Sequence, residues 1–104
     1  MSVLSITFHC VKDSLEEWEL YVDDTLTLMT ENLMDVNKYI LSEIDSEYIE
    51  DGKNYNLLLI FDDNDKRKEF IESELVNIAD RIEKQFGQNV MIFNTFLNPK
   101  NIKI

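Results

Sequence analysis

The chain holds one histidine, His9, on a stretch where side-chain character alternates. From Val3 to Cys10 it reads Val-Leu-Ser-Ile-Thr-Phe-His-Cys, which sets Ser5, Thr7 and His9 on one side of an extended backbone and Leu4, Ile6, Phe8 and Cys10 on the other. A neutral imidazole beside two hydroxyls can serve as a general base near neutral pH. Asn94, which interrupts an apolar run, and Tyr39, which shares a strand parity with Glu43, are the groups that could assist His9. The catalytic candidates are therefore His9, Asn94 and Tyr39, and the ligand-pocket candidates are Ser5, Thr7, His9, Trp18 and Asn94. Each also has a plainer explanation. His9 can be held by one hydrogen bond at a strand end, Trp18 falls on an apolar helix stripe and packs in a core, and Asn94 and Thr95 need only structural partners. No second histidine, cysteine pair or glycine-rich loop joins His9.

Asp62, Asp63 and Asp65 cluster, but a calcium loop of the EF-hand type needs a glycine at its sixth position, and starts at Asp62 or Asp63 place Arg67 or Lys68 there. Helix capping accounts for them, and neither a metal nor a cofactor is expected. Cys10 has no partner for a disulfide, reads as a small buried hydrophobe and fits a reducing compartment.

Charge narrows the partners. Ten Lys and Arg stand against 21 Asp and Glu in 104 residues, a net charge of −11. Such a field repels nucleic acid and anionic membrane surfaces, and no basic stripe opposes it. The N-terminus lacks the charged and apolar blocks of a signal peptide, and no run approaches the roughly 20 apolar residues of a membrane span. A cytoplasmic protein is expected.

The elements that must position these residues follow from periodicity. Val3 to Cys10 is a first strand. Ser14 with Glu17 matches a capping box opening a helix that runs to about Leu33, with Leu15, Trp18, Val22, Leu26, Met29 and Leu33 as its stripe and Tyr21 and Leu28 widening it. Val36 to Ile44 is a second strand whose Lys38, Ser42 and Glu43 mark an edge. A turn over Glu50-Asp51-Gly52-Lys53 joins it to Tyr55–Phe61, apolar on both parities. A second helix starts at Asp62–Asp65, buries Ile71, Leu75, Ile78, Ile82 and Phe86, and stops at Gly87. Asn89 to Leu97 is the fourth strand, ended by Pro99.

The order βαββαβ with right-handed crossovers predicts one α+β domain over residues 1–104, with a short tail over 97–104. The sheet is antiparallel, ordered 4-1-3-2, with both helices on one face: the ferredoxin-like arrangement. Two helices cover one face of the Tyr55–Phe61 strand, so the other face calls for a second copy of the chain, a homodimer through the sheet.

Three stretches, Val3–Phe8 followed by Glu16-Glu17-Trp18, the Tyr55–Phe61 strand, and Phe86 to Leu97 with its Phe-Gly and Phe-x-Thr-x-Leu elements, resemble a bacterial domain-of-unknown-function family, number 4286, frequent in Bacteroidetes. The resemblance implies the fold of the dimeric α/β barrels, a superfamily that includes small oxygenases and haem-degrading enzymes. The Asn, Trp, His set of the haem-degrading branch has no match here. Many family members carry a histidine late in the first helix, where this chain reads Leu26-Thr27-Leu28-Met29.

Three functions fit this frame. The first is a homodimeric binding or assembly domain without catalysis. The second is a cofactor-independent small oxygenase or isomerase that takes an apolar ligand near His9, and the third is a small-ligand sensor. A filled space between the sheets favours the first, and a pocket lined by His9 favours the other two.

Overall fold

The computed structural model describes residues 1–45 and 51–103. Four strands make one antiparallel sheet: β1 (Ser2–Val11), β2 (Lys38–Glu43), β3 (Gly52–Phe61) and β4 (Val90–Leu97). Their order is β2-β3-β1-β4, the predicted 4-1-3-2 read from the other edge, with β2 at one edge as its charges required. Helices α1 (Leu15–Tyr21) and α2 (Thr27–Glu31) follow β1, and α3 (Asn64–Glu72) and α4 (Glu74–Phe86) follow β3. All of them lie on one side, and the fold is ferredoxin-like.

The core sits between sheet and helices. Leu4, Ile6, Phe8 and Cys10 of β1 and Tyr55, Leu57, Leu59 and Phe61 of β3 point into it, meeting Trp18, Tyr21, Val22 and Leu26 from one helical segment and Phe70, Leu75, Ile78, Ile82 and Phe86 from the other. Trp18 is its hub. The indole stacks on Tyr21 at 5.5 Å and meets Phe86 edge-on at 5.3 Å, with Tyr55 at 6.4 Å. Arg67 ties α3 to the far edge: its guanidinium donates to the Val3 and Leu97 carbonyl oxygens at 2.9 and 3.1 Å and lies over the Phe96 ring.

Both helical segments depart from the single helices that the sequence predicts. Between α1 and α2, Val22–Leu26 forms a π turn, in which the Thr27 amide and hydroxyl both donate to the Val22 carbonyl. The extra residue advances the phase by about one position, so Thr30 turns inward and Leu28, expected to widen the stripe, is 59% exposed. The second helix breaks at Ser73, whose hydroxyl donates to the Glu69 carbonyl at 2.6 Å and offers the backbone an alternative to the helical ladder.

End signals divide the same way. Asp63 caps α3 by accepting from the Lys66 amide at 2.9 Å, and Gly87 ends α4 at φ +58°. Ser14 makes no capping bond; a short 3₁₀ turn (Lys12–Ser14) carries the chain into α1, and its hydroxyl accepts from the Asn89 amide instead. The predicted turn starts at Glu50, outside the described residues, while Gly52 and Lys53 already belong to β3. Gly52 is needed there, because a Cβ would collide with the backbone carbonyl oxygen of Cys10.

Candidate functional site

Register turns the sheet's uncovered side into a graded surface. Across the strands, Lys38, Ile60, Val3 and Leu97 form one row and Ile40, Leu58, Ser5 and Thr95 the next. Beyond them come Ser42, Asn56, Thr7 and Phe93, and then Asn54, His9 and Met91. One end is mainly aliphatic, with Lys38 at its edge, and the other carries the amides and the imidazole beside Phe93 and Met91. The polar end is internally bonded. Asn56 Nδ2 donates to Ser5 Oγ at 2.8 Å and to Thr7 Oγ1 at 3.3 Å. His9 Nδ1 lies 2.5 Å from Asn54 Oδ1, and because an amide oxygen only accepts, Nδ1 carries the proton.

The other residues expected near His9 stand across the sheet from it. Asn94 pairs with Ile6 and Tyr39 with Leu59, so both share the helix side with those core residues, and Trp18 is sealed among the helices. Alternation is strict along a strand, so no side-chain movement brings Asn94 or Tyr39 to the imidazole. Ser5, Thr7 and His9 do share one face. Cys10 lies in the core, where burial, with Glu19 adding to it, pushes the thiol up to about 11.

On the helix side, α1 and the π turn stand apart from β2 and leave a cleft of about 480 Å³. Glu19 and Asp23 form one wall with Val22 and Thr27, and Tyr39, Leu41 and Glu43 form the other. Tyr55, paired with Glu43 in the β2–β3 register, makes the floor. Lys53 Nζ bridges the two walls at one end, 2.9 Å from Glu19 and 3.2 Å from Glu43, and these two bonds raise its pKa. Tyr55 is 8% exposed, and its hydroxyl, at the cleft floor, bonds to no other described residue. Burial, reinforced by Glu19 and Glu43, pushes that phenol up to about 12, so it remains protonated at physiological pH.

Sequence reading found Tyr39 and Glu43 on one strand face but missed Tyr55, Lys53, Glu19 and Asp23. The Glu43–Tyr55 pairing is a fact of register, and the intervening turn is too long for its type to be read. The π turn, which places Asp23 on the wall, has no signature in a pattern of three- and four-residue steps.

Residues 1–100 match the family described as Domain of unknown function (DUF4286). The chain belongs to it. Among curated proteins, none matches the DUF4286 chain in sequence. Among solved structures, HapK from Hahella chejuensis superimposes with a TM-score of 0.69 at 7% identity, covering 100% of this chain and 97% of that one. SnoaB, a cofactor-independent oxygenase from Streptomyces nogalater, solved as a point variant, gives 0.63 at 10% identity over 97% and 95%. A dimeric ferredoxin-like protein from an uncultured marine organism gives 0.62 at 11% identity over 100% and 99%. Likeness at these identities is one of fold. Within the DUF4286 chain no described helix is long and apolar enough to cross a membrane.

Proposed function

We propose that this DUF4286 chain is a small cytoplasmic binding domain that works as a homodimer, with two sheets meeting through their open faces. The observation that carries the reading is the composition of that face. It exposes Ile40, Met91, Phe93 and Leu97 and half-exposes Leu58 and Ile60, an apolar surface that no helix of the same protomer covers. It is also the place where two acidic chains can approach. Against a net charge of −11, the open-face positions of the four strands carry no Asp or Glu, and Lys38 is their one full charge. A two-fold contact between identical patches is then free of like-charge repulsion among carboxylates. A structural neighbour described as a dimeric ferredoxin-like protein supports dimerisation, and the single buried thiol suits a reducing compartment.

Catalysis centred on His9 has less support. The two groups expected to assist it, Asn94 and Tyr39, lie beyond the sheet. Light scattering tests the assembly. The parent chain is expected at twice its 12.3 kDa protomer mass at micromolar concentration, and Leu58→Lys and Phe93→Asp as folded monomers with unchanged circular dichroism. A monomeric parent would sink the proposal.

A further inference from the structure

The helix-side cleft has a composition that the dimer does not explain. We propose that it binds a small organic cation, an ammonium or guanidinium group on a compact apolar body. This deepens the binding-domain reading by naming a ligand class, but the cleft lies within one protomer and does not depend on the dimer.

Four features converge. The first is the Tyr55 phenol, more than nine-tenths buried, lining the cleft and unpartnered among the described residues. Its oxygen is an acceptor at the cleft floor to which a ligand N–H can donate. The second is charge. Glu19, Asp23 and Glu43 surround the space, and Lys53 is bonded to two of them, which leaves a surplus of two negative charges. Asp23 makes no ion pair or hydrogen bond among the described residues. In a concave site such an excess is focused, so the cleft attracts cations and repels carboxylates and phosphates.

The third feature is the aromatic and aliphatic lining. Tyr39 and Tyr55 supply aromatic rings, whose faces attract cations, while Val22 and Leu41 suit its hydrocarbon part. Tyr55 is held by its edge-on contact with Trp18, so the floor is preformed. The fourth is the π turn, an irregular helical geometry that recurs at functional sites and here supplies Val22 and Asp23 to the wall. The volume of about 480 Å³ falls within the range of small-molecule sites. A bare metal ion fits less well, because Glu19 and Glu43 already hold Lys53 and a metal would have to displace it.

Titration of the ¹⁵N-labelled chain with benzylamine, which is cationic at neutral pH, tests the proposal against benzyl alcohol and benzoate, neutral and anionic probes of similar size. Benzylamine is expected to shift the amide resonances of Glu19, Asp23, Thr27, Tyr39 and Tyr55 in a saturable way, with weaker shifts for the alcohol and none for benzoate. Asp23→Asn, at an exposed position, should weaken the affinity about two- to fivefold. Tyr55→Phe, which keeps the ring, should weaken it about two- to tenfold. Absence of saturable shifts with benzylamine, equal shifts with benzoate, or affinities unchanged in both variants would overturn the proposal. Light scattering on the same samples keeps the outcomes apart: a dimer that ignores benzylamine refutes the cation site alone, and a monomer that binds it refutes the dimer alone.

Discussion

Leu57 and Leu58 are neighbours in one strand and identical in chemistry, yet Leu57 is inaccessible and Leu58 is half-exposed. The same contrast runs through the sheet. On the helix side Leu4, Ile6, Phe8, Leu59 and Phe61 are wholly buried, whereas the opposite parity presents Ile40, Met91, Phe93 and Leu97 to the surroundings. Hydrophobic character is similar on the two sides, and what differs is cover. One side was completed by folding. The dimer proposed above would complete the other, and the strand positions on that side carry no Asp or Glu.

The helix side should fail first and furthest when disturbed. Trp18→Ala removes the aromatic hub and should cost about 3–5 kcal/mol, a large part of the roughly 5–15 kcal/mol that holds a domain of this kind, seen as loss of the cooperative melt. Trp18→Phe should cost far less, because it also removes an indole Nε1–H that is buried without a partner. Gly52→Ala comes next. Its methyl group meets the Cys10 carbonyl, and the β1–β3 backbone must shift at a cost of about 1–3 kcal/mol, measurable by denaturant titration.

A change on the open side should be milder for the protomer. His9→Ala deletes the bond to Asn54 and should lower stability by about 0.5–1.5 kcal/mol while leaving the benzylamine titration unaltered, since the imidazole and the cleft lie on opposite sides. A change in cleft affinity would break the separation of the two sides. The smallest effect concerns Glu74 at the start of α4. Its pKa is raised by burial and then by Asp35, and Oε2 has no partner. The folded state holds this proton more tightly than the unfolded one. The stability it contributes is complete below the ordinary value near 4.5 and is lost as pH rises through the raised folded value. Glu74→Gln should therefore raise the melting temperature at pH 7 by a small margin and flatten that decline. An unchanged pH profile would show that this carboxyl is not desolvated.

Topology was legible because it rests on repetition. Alternation over Val3–Cys10 and Tyr55–Phe61 and the three- and four-residue steps of Leu75, Ile78, Ile82 and Phe86 were enough to place strands, helices and sheet order. Devices of one residue were not. Ser14 offered a capping box that the structure does not use, Ser73 broke a helix with no proline or glycine to announce it, and the π turn moved Leu28 outward and Thr30 inward. The cleft was hidden for a related reason. Tyr39 and Glu43 could be paired by parity within one strand, but their meeting with Tyr55 and Lys53 depends on a register that strand periodicity leaves open. Parity also separated what sequence reading had grouped, setting Asn94 and Tyr39 on the opposite side from His9.

The central claim, that the open side of the sheet is where two copies meet, is tested most directly by the chain's own methionines. Met34, on the connection before β2, is 90% exposed, and Met91, on the open face, is 44% exposed in the single protomer. Limited peroxide oxidation followed by peptide mass spectrometry compares their rates across a dilution series. Met34 is expected to oxidise at the same rate throughout, while Met91 is protected at high concentration and becomes reactive on dilution as the dimer separates. Oxidation of Met91 at a constant rate, in proportion to its exposure in the protomer, would contradict the claim.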